Sequence, residues 1–379
     1  MKKIGLLTFH ASHNCGSMLQ TYALQDVLIK EGNDVKIINF SNKGQQKLYN
    51  IFFENNNFKN ILKNIIILPK IKRIKKIDSS YKKFIKKNFN LTEKFYEYKE
   101  ELKEEELEFD EYVCGSDQIW NITIEDSDDS YFLPFVNKHK KIAYAPSFGA
   151  KDPQKYAKNI EFYKNKIADF DFLSVRENNG QKWIKEMTDK EVPVVLDPTL
   201  IADKSIYGKI EQKIKLPQKY IFYYAPGYIK DLNNFVCEIS NKYKLPVIVF
   251  NSKQFYIKGL WKKKFILPED ENPGTYLYLM KNAEMIITTS FHGTIFSTIY
   301  GKKFWVLKNG GMYGEDDRVK TLISQLGIEK RLIEPIYDNN MNYLEDIDYE
   351  TYNNRLMDLR EQSIKYLREA LNSNYETEK

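Results

Sequence analysis

Residues 3–40 read KIGLLTFHASHNCGSMLQTYALQDVLIKEGNDVKIINF, and this stretch decides the fold. Lys3–Phe9 is a short apolar run suited to a buried strand, and His10–Ser17 supplies loop residues with a single glycine, Gly16. From Ser17 the apolar spacing becomes helical: Leu19, Tyr22, Ala23 and Val27 share one face, and Gly32 is a C-terminal stop. Val35, Ile37 and Ile38 mark a second strand within Asp34–Phe40. Strand, loop, helix and strand in this order form a βαβ unit, which implies a parallel sheet with a right-handed crossover.

Outward from this unit the pattern recurs. Strand-like runs at Glu111–Cys114, Lys141–Ala145, Asp171–Val175 and Val192–Leu196 each end in a small or polar loop. Ligands of open parallel sheets bind beyond the carboxyl ends of the strands, where such loops gather. Residues 41–110 break the pattern: Phe84 and Phe89 sit among lysines, Glu100–Glu108 is acidic with helical character, and the region reads as a helical Lys/Asn-rich insertion. Tyr207–Lys219, with Pro217, suits a linker. A second α/β series follows, with strands at Tyr220–Ala225, Val247–Phe250, Glu284–Thr288 and Lys303–Leu307 and a helix at Gly293–Tyr300. The expected organisation is α/β: a Rossmann-like domain over 1–210 carrying the insertion, a second over 218–345, and a C-terminal helix and tail over 346–379 packing back across both. Two such halves joined by a linker enclose a central cleft.

A length of 379 residues fits two domains or a little more. With 42% hydrophobic and 29% charged residues the composition is globular and excludes a mostly disordered chain. The longest apolar run, Tyr220–Ala225, is far short of the ~20 residues that span a bilayer. The basic N-terminus leads into an apolar stretch soon broken by His10, His13 and Asn14, so it reads as a first strand and not as a signal peptide. A cytoplasmic protein is expected, with the inner face of the membrane as an open alternative. Cys15, Cys114 and Cys237 are odd in number and far apart, which excludes a disulfide framework and fits a reducing compartment. The four histidines form no metal-binding spacing, and neither metal nor cofactor is expected. The net charge of +6 is concentrated in Lys43–Lys87 without any nucleic-acid-binding motif. That region reads as solvated surface, or as a patch for phosphate-bearing or membrane-surface substrates and hence for peripheral membrane association.

Four stretches carry candidate chemistry. Thr289-Ser290-Phe291-His292-Gly293-Thr294 lies between a strand and a helix, where free N–H groups and the helix dipole favour an anion. Ser290 and Thr294 add hydroxyls, Gly293 permits close approach, and His292 can exchange a proton. Arg176, in Ser174-Val175-Arg176-Glu177, offers a guanidinium to carboxylate or phosphate; the alternative is pairing with Glu177 or Asp197. Asp117 and Trp120, in Gly115-Ser116-Asp117-Gln118-Ile119-Trp120-Asn121, suit sugar hydroxyls and a sugar face, unless Trp120 is core. The loop from His10 to Ser17 opens the first helix without the glycines of a dinucleotide loop or P-loop, and Cys15 reads as a packing residue.

Taken in order, Asn14-Cys15-Gly16-Ser17-Met18-Leu19-Gln20, the Gly115–Asn121 stretch, Tyr144-Ala145-Pro146-Ser147-Phe148-Gly149, Ser174–Glu177, Leu196-Asp197-Pro198-Thr199-Leu200 and Ser290–Gly293 resemble the polysaccharide pyruvyltransferase family, from the first strand to about Gly327. The resemblance implies a glycosyltransferase-B-like arrangement and transfer of pyruvate from phosphoenolpyruvate onto a sugar as a cyclic ketal. It makes His292 the catalytic histidine and Arg176 a donor-binding arginine. Many members carry Arg-Leu-His where this chain has Ser290-Phe291-His292, so one donor-binding charge is missing from its usual place; Arg318, Lys302 or Lys303 is the substitute, or the donor differs. With this resemblance, the expected site comprises His292 and Asp117 as catalytic groups. Arg176, Ser290, Gly293, Thr294 and Arg318 hold the donor; Asn14, Ser17, Gln118 and Trp120 hold a nucleotide- or lipid-linked sugar acceptor. A nucleotide-sugar glycosyltransferase and a non-catalytic carbohydrate- or phosphate-binding homologue remain alternatives, and the oligomeric state stays open.

Overall fold

The computed structural model describes residues 1–308 and 317–373. The opening unit forms as its pattern requires: β1 (Lys3–Leu7), α1 (Cys15–Lys30) and β2 (Asp34–Ile37). β1 is buried from Ile4 to Leu7 and pairs in parallel with β2 on one side and β3 (Glu111–Cys114) on the other. β4 (Lys140–Ala143) and β5 (Phe172–Leu173) complete a five-stranded sheet of order β2-β1-β3-β4-β5. The strand expected at Val192–Leu196 is instead an extended segment bridged to the sheet only between Val175 and Val194. Pro193 explains this, since it has no N–H to continue a ladder.

The second half repeats the plan. β6 (Ile221–Tyr224), β7 (Val247–Val249), β8 (Met285–Thr288), β9 (Lys303–Leu307) and β10 (Leu332–Ile333) form a second parallel sheet of order β10-β9-β8-β6-β7. Read from its own first strand, each sheet reverses direction at the same place, between β1 and β3 and between β6 and β8. Such a switch point opens a crevice beyond the strand ends. One apolar cluster runs from Leu6 and Leu19 through Leu200 and Tyr207 to Phe222, Ile286 and Ile295, so the two halves share a core. The C-terminal helix Tyr349–Asn372 crosses both: Tyr349 Oη donates to Lys302 O and Tyr366 Oη to Ala143 O. No helix among the described residues is long and apolar enough to cross a membrane. The tail 374–379 lies outside the described residues.

Residues 43–88 fold as three helices, α2 (Lys43–Tyr49), α3 (Phe58–Ile67) and α4 (Ile71–Asn88). α4 is fastened to the second half. Arg73 donates to Ser252 Oγ at 2.7 Å and Pro268 O at 2.5 Å, and lies 3.4 Å from Glu271 Oε1. Ser80 donates to Asp270 at 2.7 Å. Burial pushes the Glu271 carboxyl above its ordinary range, opposed by hydrogen bonds from Ser252 and by the Arg73 charge. A carboxyl raised by folding stabilises least at high pH, because ionisation is then forced on a buried group. Arg73→Met is therefore expected to cost about 1–3 kcal/mol, the usual range for an unsatisfied buried partner. The deficit should widen between pH 5 and pH 8, as urea melts of both proteins across that range would show.

Candidate functional site

A cavity of about 360 Å³ lies where the two switch points face each other. Its lining comes from the loops after β1 (His13, Asn14), β3 (Asp117, Gln118), β6 (Ala225, Pro226) and β8 (Thr289 to His292), with Ser17 from α1. The loop after β7 adds Asn251 to Gln254, and the insertion closes one wall with Leu48, Tyr49, Ile51, Phe53, Asp78 and Tyr81. The volume suits a sugar or a small phosphate ester.

Two helix starts point into the space. Asn14 caps α1, its Oδ1 accepting from Gly16 N at 2.9 Å and Ser17 N at 3.4 Å. Ser290 caps the helix Phe291–Ile299, its Oγ accepting from Gly293 N at 3.3 Å. The two meet at His292: a Cβ on Gly16 would stand 2.2 Å from His292 Nδ1, so the imidazole lies directly on the α1 backbone. Any other residue at position 16 would displace the ring.

Behind His292 is a buried chain of charges. Asp197 Oδ2 accepts from Arg176 Nη1 at 2.6 Å and Ser116 Oγ at 3.3 Å, while Oδ1 accepts from Thr199 Oγ1 at 2.6 Å. His292 Nε2 stands 3.4 Å from Asp197 Oδ2, an ion-pair distance without an aligned hydrogen bond. Asp117 Oδ1 lies 3.7 Å from Arg176 Nη2. Burial alone would raise the Asp197 carboxyl, but His292 and Arg176 hold it well below the ordinary carboxylate range. Arg176 Nε and Nη2, Asp117 Oδ2 and His292 Nε2 are buried without a hydrogen-bond partner among the described residues. Unsatisfied buried polar atoms are uncommon, and four of them gather in this one network.

The polysaccharide pyruvyl transferase model matches residues 14–311, which span every loop just described except the first residues after β1. The chain belongs to this family. Among curated proteins none matches it in sequence. In fold it is similar to UDP-GlcNAc 2-epimerase from Neisseria meningitidis bound to UDP-GlcNAc, with 12% identity, 99% of this chain and 100% of that one covered, and a TM-score of 0.51. It is also similar to MnaA from S. aureus in complex with UDP, at 12% identity, 98% and 97% coverage and a TM-score of 0.51. At that identity the likeness is one of fold, and it makes the architecture glycosyltransferase-B-like.

His292, Asp117, Ser290, Arg318, Asn14, Ser17 and Gln118 all reach the cavity. Arg176 does not. It is 3% exposed, set behind Asp117 and Phe291, with its guanidinium carbon 4.4 Å from the Phe291 ring centre. It stands one layer behind the lining, and of the two pairings weighed in the sequence the one with Asp197 is formed. Gly293 and Thr294 are corrected likewise: a Cβ on Gly293 would meet Thr288 Oγ1 at 2.2 Å, and Thr294 Oγ1 donates to Ser290 O inside the helix–strand packing. Trp120 is corrected from acceptor contact to core. It is fully buried, stacked on Phe132 at 5.2 Å, and its Nε1 donates to Tyr131 O. Lys302 and Lys303 turn away, toward Lys281 O and Asp346. Cys15 is buried with its Sγ 3.3 Å from Tyr81 Oη, and burial raises its thiol.

Sequence reading missed Lys253 and Asp78, and it named Asp197 only as a partner for Arg176. Lys253 follows β7, a strand-end position that could have been found; burial lowers its pKa to about 8, against the opposing pull of Asp78. Asp78 faces His13 Nδ1 at 3.8 Å, and His13, stacked on Tyr81, is lowered by burial to about 4.

Asp197 sets a stability test. A carboxyl depressed by folding contributes above its unfolded pKa and loses that contribution as pH falls through the folded value. Asp197→Asn strips the counter-charge from Arg176 and is expected to cost about 3–5 kcal/mol at neutral pH. The gap to wild type should narrow below about pH 4, the ordinary aspartate range. Denaturant melts at several acidic pH values would read both effects.

Proposed function

We propose that the protein transfers a pyruvyl group from phosphoenolpyruvate to two hydroxyls of a nucleotide- or lipid-linked sugar, forming a cyclic ketal during glycan synthesis in the cytoplasm. The observation that carries this reading is the meeting of His292 and Asp117, from facing domains, on one cavity in a chain of this family. Phosphoenolpyruvate is a compact polyanion. Arg318 and Lys253 line the cavity, Arg176 adds positive charge behind it, and two helix starts point into it.

In the proposed sequence His292 delivers a proton to the methylene carbon, leaving a cationic C2. One sugar hydroxyl, oriented by Asp117, attacks C2 and gives up its proton. The C2–O bond to phosphate then breaks, phosphate leaves with one proton, and a second hydroxyl closes the ketal. Of the two hydroxyl protons lost, one replaces that spent on the methyl group and one leaves with phosphate. Ser290 and Arg318 face the departing phosphate. Asn14, Ser17 and Gln118 line the acceptor side.

Phosphate release from phosphoenolpyruvate, screened against nucleotide- and lipid-linked sugars, tests the proposal. Nucleotide release from a UDP-sugar without phosphoenolpyruvate would replace it with glycosyl transfer, and binding without turnover would mark a non-catalytic homologue. His292→Ala should lower the rate by about 10²–10⁴-fold, the usual worth of a positioned acid or base. His292→Asn should retain donor affinity without restoring turnover; near-normal turnover with an intact circular dichroism spectrum would remove His292 from the acid role.

Lys253 gives the reaction a pH dependence of known sign. A lysine near 8 loses its charge as pH rises, so the KM for phosphoenolpyruvate should climb from about pH 8 upward. Lys253→Met should raise KM at pH 7 and flatten that limb. An unchanged limb in the variant would assign it to another group.

A further inference from the structure

We propose that the helical insertion docks the protein on an anionic bilayer surface, through the outward face of α3 and the neighbouring Trp261. α3 turns its wider apolar stripe outward. Phe58, Ile61, Leu62, Ile65 and, just past its end, Leu68 recur at helical spacing on one side, and that side faces solvent: Phe58 is 78% exposed and Ile65 60%. The inward side is mixed: Ile67 is fully buried there, while Asn64 bonds Phe53 through both its amide atoms. A contiguous exposed apolar stripe on an amphipathic helix marks an interaction surface, and flanking lysines are the signature of one that lies in a membrane interface.

Charge decides the occupant. Residues 43–87 hold thirteen basic and two acidic residues, whereas the rest of the chain holds 45 basic and 50 acidic. Two copies facing each other through such a patch would oppose like charges, while anionic lipids attract every lysine near their surface. The patch continues onto the second half of the molecule: Lys70 Nζ lies 5.7 Å from the Tyr256 ring, whose centre is 6.3 Å from that of Trp261. Trp261 is 48% exposed and precedes Lys262, Lys263 and Lys264. An exposed tryptophan among lysines is the usual anchor at a headgroup layer. Leu48, Ile51 and Phe53, beside this patch, also line the cavity, so a lipid-linked acceptor would be presented at its rim. That last consequence rests on the reading of the site given above; the docking itself does not.

Full-length protein should sediment with phosphatidylglycerol–phosphatidylcholine vesicles, weakly or not at all with phosphatidylcholine alone, and less as salt is raised. Trp120, Trp183 and Trp305 are buried, so a blue shift of tryptophan emission on binding reports Trp261. The Leu62→Asp, Ile65→Asp double variant changes exposed positions. It should keep its melting temperature and its turnover on a soluble acceptor while losing at least about tenfold in vesicle partitioning. Trp261→Phe should lose the blue shift and keep most of the sedimentation. The proposal is overturned by no sedimentation with anionic vesicles at low salt, by equal partitioning of the double variant, or by a wild-type dimer that the double variant dissociates without change in vesicle binding. Sedimentation without phosphate release from phosphoenolpyruvate would leave docking standing and remove the reading of the site instead.

Discussion

The Asp197 carboxylate is the joint on which the site depends. It is fully buried, which in isolation would favour its neutral form, yet it is held ionised because Arg176 and His292 both reach its Oδ2. Arg176 follows the last strand of the first sheet, and His292 opens a helix of the second domain. One charge therefore serves both domains. If the domains parted at His292, Asp197 would keep Arg176 but lose one of the two groups that hold its carboxyl low. The same arginine lies 3.7 Å from Asp117 Oδ1, so Asp197 and the cavity-lining Asp117 share one guanidinium.

Packing reinforces what charge begins. With only a hydrogen at Gly16, His292 rests on the first turn of α1, and with only a hydrogen at Gly293 the following helix closes onto Thr288. These two contacts bring the positive ends of two helices, one from each domain, onto one cavity. Neither glycine needs an unusual backbone angle; both are needed for closeness. A cleft between two sheets is thereby reduced to a volume that a small anionic donor and one sugar ring can fill.

Much of this was legible in the sequence because it obeys local rules. The alternation of apolar runs with helical spacing yields both sheets, and polar loops at strand ends yield Asn14, Asp117, Ser290 and His292. Depth was not legible. Trp120 sits three residues from Asp117 in one loop, yet one is core and the other lines the cavity, since only three-dimensional packing decides which way a turn points. Arg176 looked like a ligand contact for the same reason: the end of a strand is a place in the sheet, and whether the side chain stops at the cavity or one layer behind depends on Asp197, two elements later. The insertion hid its contribution because its helices pack against the second half of the molecule through residues near 250 and 270, partners that no local periodicity reveals.

The departure at Ser290-Phe291-His292 is best understood as one change of two residues. This chain has a capping serine at the first position and an aromatic face at the second. Phe291 uses that face. The guanidinium carbon of Arg176 lies 4.4 Å from its ring centre and that of Arg318 6.0 Å, within the range of cation–π attraction worth about 0.5–2 kcal/mol each. A leucine could not gather two guanidinium groups in this way. Glu177, pushed up to about 7 by burial yet opposed by both arginines, shows that the two are close enough to share a field. Two guanidinium groups are thus gathered at one aromatic ring beside the cavity. Ser290 caps the helix, and from that first turn His292 Nε2 stands 3.4 Å from Asp197.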